Sequence, residues 1–266
     1  KYFEDFLRLG VLSKDQANKV VGNSNAAKKY MRNALREGLT EKVKHNYCVV
    51  KSIETKQVIP SRFAIGSHVN PSAFISHHSA FEYYGMANQV LNEVTVSSEK
   101  KFKPFSFDGI DYDIGYSVFF GVVAHSDLVK VTDIERTILD NLKDFTKFGG
   151  LEELLRCLAM ITIVDESKLL AYLEEYKNQF LYRKSGYIIY SQPLPSYEAQ
   201  QSVLCCMQEH DRKEQKYLNE GIQQETPKYV SEWQLYVPQN LLMRIEDGGD
   251  ILLNLFKSQL SKKAQE

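Results

Sequence analysis

Apolar residues in the first 56 positions recur three times at helical spacing and then alternate. Phe3, Phe6 and Leu7 predict the inner stripe of a first short helix. Ser13 stands where a cap for a second helix would stand, with Gln16 three residues on, the capping-box spacing. Leu12 and Ala17 are placed as its hydrophobic staple, and Ala17, Val20 and Val21 as its inner face. Gly22-Asn23-Ser24 is a break of the length that joins the helices of a helix-turn-helix. Ala27, Tyr30, Met31, Ala34 and Leu35 then fall at i, i+3, i+4, i+7 and i+8, which predicts a third helix with one buried face, ended by Gly38. Glu41 to Lys44 and Tyr47 to Val50 read as two short strands about His45-Asn46, since Asn tolerates the positive φ of a tight turn.

Beyond this the pattern mixes both periods. Pro60 interrupts helix and strand alike, so residues 57–60 read as a linker between a domain at 1–56 and a larger one at 61–266. Pro71-Ser72 is expected to start a helix with Ala73, Phe74, Ala80, Phe81 and Tyr84 in the core. Asn92 to Ser97 alternates like a strand, 105–114 reads as a hairpin about Asp108-Gly109, and 118–124 as a further strand. Helices are expected at 132–143, 149–160, 166–177 and about 179–189, a long polar helix at 196–219, a strand at 228–237 and a last helix at about 239–258. The expected fold class is α+β: an N-terminal winged helix-turn-helix domain followed by a larger mixed α/β C-terminal domain.

Charge sharpens the picture. Residues 1–56 hold 12 Lys/Arg against 6 Asp/Glu, whereas the rest hold 21 against 28, which together give the net −1. A basic head on an acidic body fits nucleic-acid contact better than the net charge suggests. The polar face of the third helix carries Ser24, Asn25, Lys28, Lys29, Arg32, Asn33 and Arg36. In the major groove Arg and Lys donate to guanine and Asn pairs with adenine. Lys42, Lys44 and His45 at the hairpin tip are expected on the phosphate backbone, as in the wing of a winged helix. Such a head can also serve as a protein-docking module, and the basic face and tip favour DNA.

Other classes find little support. No 18-residue apolar run is present, so no membrane span is expected. Lys1 to Phe6 lacks the charged-then-apolar order of a signal peptide. Cys48, Cys157, Cys205 and Cys206 show no zinc-site spacing, and the adjacent pair reads as reduced thiols of a cytoplasmic protein rather than a vicinal disulfide. His77-His78 diverge by a helical step and do not converge on a metal. Asp111-Tyr112-Asp113 has the DxD form of nucleotidyltransferases, but Gly66-Ser67 lies too far upstream to complete that motif. Glu99-Lys100-Lys101 has half of a nuclease motif without the upstream Asp, so Lys100, Lys101 and Lys103 read as a solvated or phosphate-touching patch. No phosphate-binding glycine loop or nucleophile elbow occurs. No catalytic residue, metal or cofactor is expected.

Several stretches together resemble the AbiEi-type antitoxins. Residues 76–85 (SHHSAFEYYG) are similar to that family's SH-x-SAL segment, and 131–140 (VTDIERTILD) to its V-x-D-x-ERT-[IL]-LD segment. Phe148-Gly149-Gly150 follows, and Tyr182 to Tyr187 resembles its [KR]-R-x-GY segment, without the acidic residue that usually comes after. The ERT segment itself reads as a structural helix: Thr132 or Asp133 as cap, Ile134, Ile138 and Leu142 on the inner face, and Arg136 with Asp140 as an i, i+4 pair. The resemblance implies an antitoxin of a bacterial abortive-infection pair. Its head would bind double-stranded operator DNA and repress its own operon, and its body would counteract a cognate nucleotidyltransferase toxin. A one-component regulator whose body senses a ligand is the alternative.

Overall fold

The computed structural model describes residues 2–115, 120–125, 128–191, 215–218 and 227–238. The chain is α+β and divides into two compact units, 1–80 with 91–132, and 81–90 with 133–266.

The first unit opens with α1 (Phe3–Leu9), β1 (Val11–Ser13), α2 (Lys14–Val21) and α3 (Ser24–Arg36), followed by β2 (Thr40–Lys44) and β3 (Tyr47–Val50). The local signals that start α2 and α3 are in place. Ser13 Oγ accepts from the Gln16 amide at 3.2 Å while Gln16 Oε1 accepts from the Ser13 amide at 2.8 Å, a complete capping box. Gly22 ends α2 in the left-handed region, and Asn23 Oδ1 then caps α3 by accepting from the Asn25 and Ala26 amides. Phe6, Leu12, Ala17, Ala27 and Val50 close into a buried cluster, with Tyr30 and Met31 packed against it. Leu35, expected in that core, is 43% exposed. At 100° per residue it lies about 80° round from Ala27, at the margin of the stripe, and Ala34 takes the central place. β1 joins the hairpin, giving the order β1-β3-β2, an element that three residues without alternation did not announce.

Pairing runs straight through the expected linker at 57–60. Lys51 and Val58 form an antiparallel bridge, and the Ile59 amide donates to the Val50 carbonyl at 3.0 Å. Then come α4 (Arg62–Ser67), β4 (Phe74–Ile75), α5 (His77–Tyr83), β5 (Glu93–Ser97), β6 (Phe105–Phe107), β7 (Ile110–Ile114), β8 (Val122–Ala124) and β9 (Lys130–Thr132). Their six strands form a mixed sheet in the order β6-β7-β5-β4-β9-β8. The Asp108-Gly109 turn has both residues at positive φ, as expected of that hairpin. The expected helix from Pro71 is corrected: Phe74 and Ile75 pair with Ser97 and Val96 on one side, and Ile75 with Val131 on the other. Two buried apolar residues in mid-sheet gain ladder bonds that a helix would forgo. The 118–124 strand is realised at Val122–Ala124, and 116–119 lie outside the described residues.

The second unit is helical: α6 (Ile134–Asp144), α7 (Gly150–Ala159), α8 (Glu166–Tyr176) and α9 (Gln179–Ser191), close to their expected bounds. A small sheet of β10 (Lys216–Tyr217), β11 (Lys228–Val230) and β12 (Leu235–Val237) completes it in the order β10-β12-β11. The expected strand 228–237 is thus two strands with a turn carrying the buried Trp233. Within the expected helix 196–219, Lys216–Tyr217 form strand β10 instead; residues 196–214 and 219, with Cys205-Cys206 among them, and the helix at 239–258 lie outside the described residues. Ile138, Leu142, Leu154, Leu158, Leu173 and Trp233 belong to one buried cluster.

Candidate nucleic-acid interface

The buried face of α3 is pinned by Ala27 and Ala34, so its other face is presented by default. Asn25, Lys28, Lys29, Arg32 and Arg36 are all exposed there and span roughly 100° of the helix circumference, with Ser24 exposed at its first turn. Asn33 sits further round and is half-buried. The structure therefore gathers five of the expected reading residues on one face and leaves Asn33 at its margin.

The hairpin treats its two lysines differently. Lys42 pairs with Cys48 but Lys44 pairs with Tyr47, a register shift that leaves Val43 as an extra residue. Cys48 and Tyr47 are neighbours on one strand and point to opposite faces, so the bulge turns Lys44 to the face opposite Lys42. Lys42 and His45 are exposed. The Lys44 ammonium instead lies 5.2 Å from the ring centre of Phe102 and 5.0 Å from that of Phe105, and burial lowers its pKa. On the same face the Tyr47 hydroxyl donates to the Ile65 carbonyl at 2.6 Å, tying the hairpin to α4. Burial pushes the Tyr47 phenol well up, with Tyr112 adding to it. Sequence spacing missed these contacts because their partners stand about 20 and 60 residues away and no alternation rule announces a bulge.

The other candidate motifs find structural roles. His77 opens α5 at φ 55, with its Nδ1 2.9 Å from Ser76 Oγ. Gly66 and Ser67 lie inside helix α4 rather than in a turn. Asp111 and Asp113 are exposed on β7, beside Glu93 and Thr95 of β5. With Phe105 and Tyr112 they border an open depression of about 350 Å³. Burial, then the charges of Asp113 and Asp111, raise the Glu93 carboxyl. Asp133 caps α6, accepting from the Arg136 amide, and Arg136 and Asp140 form a pair with both side chains fully buried. Arg183, Lys184 and Ser185 of the Tyr182–Tyr187 stretch are buried in α9.

An α+β chain with a basic helix face and hairpin is thus the class defined by the structure. No protein-family model matches the sequence, and neither does any curated protein. Among solved structures, the crystal structure of the RV2827C protein from Mycobacterium tuberculosis is similar in fold, with a TM-score of 0.60 over 89% of this chain and 88% of that one, at 12% identity. At that identity the likeness concerns the fold alone. Among the described residues no helix is long and apolar enough to cross a membrane.

Proposed function

We propose that the head is a winged helix that reads duplex DNA, with α3 as recognition helix and β2–β3 as wing, and that the chain is an AbiEi-type antitoxin. On this reading it represses its own operon through the head, counteracts a nucleotidyltransferase toxin through the body, and acts by binding rather than catalysis. The observation that carries the DNA half is the single exposed face of Asn25, Lys28, Lys29, Arg32 and Arg36 on a helix whose other face is held by the buried Ala27 and Ala34. The antitoxin half rests on the sequence resemblance at 76–85, 131–140 and 182–187.

The test is a titration of duplex from upstream of the gene, beside scrambled duplex, at several salt concentrations. Sequence-preferring binding that Arg32→Ala weakens by about 1–3 kcal/mol would support it. Lys42→Ala should weaken binding to both duplexes alike and flatten the salt dependence, whereas Lys44, packed over Phe102 and Phe105, is not counted among the phosphate contacts. Failure to bind either duplex at low salt would remove the DNA half and turn attention to a protein partner of the head.

A further inference from the structure

Residues 99–103, Glu-Lys-Lys-Phe-Lys, follow strand β5 and come to lie beside the tip of the β2–β3 hairpin. The link is Lys44, whose ammonium sits over the rings of Phe102 and Phe105, while Phe102 meets Phe105 edge-on with ring centres 6.5 Å apart. Lys100, Lys101 and Lys103 are all exposed. They outnumber the one carboxylate of the stretch, Glu99, three to one.

This loop is held from below. The Lys100 carbonyl accepts from Ser98 Oγ at 2.8 Å and from Asn70 Nδ2 at 3.1 Å, and the Lys100 amide donates to Ser98 Oγ at 3.2 Å. Asn70 Nδ2 also donates to Ser98 Oγ at 2.8 Å, and Ser72 Oγ accepts from the Lys100 amide at 3.4 Å, so one Asn and two Ser side chains fix the backbone at the base of the loop. A loop whose backbone is already ordered loses little further entropy when its lysines meet an anion. The depression bordered by Glu93, Asp111 and Asp113 also takes in Pro104 and Phe105, so among the three lysines it is Lys103 that stands next to it in sequence.

We infer that the DNA-contacting surface is composite: Lys100, Lys101 and Lys103 extend the wing and bind backbone phosphates of the same duplex. This rests on the DNA reading proposed above and adds to it a second phosphate contact outside the first 56 residues. The bulge at Val43 serves this arrangement, because it sends Lys44 to the loop while Lys42 stays exposed to the duplex. The loop reads no bases; its lysines are point charges for phosphate, and its contribution is independent of sequence.

The experiment compares the full chain with its K100A/K101A/K103A, Lys42→Ala and Arg32→Ala variants, titrated into operator-region and scrambled duplex across a salt series. Circular dichroism and the thermal midpoint are recorded alongside, and they should be unchanged because the three lysines are exposed. Each lost phosphate contact lowers the slope of log K against log salt by about 0.9. The triple variant is expected to lose about 2 to 3 from the slope and to weaken both duplexes equally, whereas Arg32→Ala weakens the operator duplex more. A triple variant with the wild-type slope, measured where Lys42→Ala does lower it, overturns the composite surface and leaves the head reading intact. Absence of any salt-sensitive binding by the wild type overturns both.

Discussion

Lys184 carries a cation into a nearly closed part of α9. Its ammonium lies 4.3 Å from the ring centre of Phe145 and donates to the Lys143 carbonyl at 3.1 Å. Burial pushes its pKa down to about 8, with Asp144 opposing. A lysine whose folded pKa is lowered sheds its proton more readily when folded than when unfolded. The unfolded state then binds more protons between about pH 8 and the ordinary lysine value near 10.4, so stability rises with pH through that window. The gain from Lys184 is on the order of 3 kcal/mol, and Lys184→Met should remove that part of the rise in urea titrations run across it, leaving what Lys44, Lys130 and Lys143, also lowered by burial, contribute. Arg136 and Asp140 make the opposite case. Their pair is fully buried, 3.2 Å long, and the Tyr176 hydroxyl donates to the other Asp140 oxygen. Asp140→Ala removes one carboxylate from a fully buried guanidinium and should cost about 3–5 kcal/mol by chemical denaturation. A loss below about 1 kcal/mol would show that the pair is not held as closely as the geometry requires.

At the scale of elements, α4 and the hairpin show how much depends on close approach. A methyl group on Gly66 would meet Ile75 Cδ1 at 2.9 Å and Val96 Cγ2 at 3.0 Å, so the helix can rest on strands β4 and β5 only because that position has no side chain. Gly66→Ala should destabilise by about 1–3 kcal/mol despite its better helix propensity; a stabilised variant would mean the helix can lift from the sheet without penalty. The capping box of α2 is local, and Ser13→Ala should cost about 1 kcal/mol in thermal denaturation. The two effects differ in how they could be foreseen. Ser13 and Gln16 announce their bond by spacing alone, whereas nothing near Gly66 in sequence names Ile75 or Val96. The same holds for Lys44. Its place on β2 was legible, but the register shift that turns it toward Phe102 arises from pairing with β3.

At the scale of the whole molecule, the charge is nearly balanced and unevenly spread. The chain carries a formal −1, with +6 in its first 56 residues. Association with DNA should follow the distribution rather than the sum, giving a slope of log K against log salt of at least about 3 in magnitude at neutral pH. A slope near zero would overturn the DNA reading itself, because phosphate contacts cannot form without releasing counterions.

Legible before any tertiary contact were the three short helices of the head with the Ser13 cap of α2, the Asp108-Gly109 hairpin, the four helices from residue 134, and the polar face of α3. These follow from signals spanning a few residues: a cap and its partner, a turn pair, a 3.6-residue period. That Phe74 and Ile75 form a central strand, that pairing continues across 57–60, and that Lys44 packs on Phe102 and Phe105 emerged from long-range packing. Each depends on a partner far along the chain, and short apolar runs suit helix and strand equally until a neighbour supplies the hydrogen bonds.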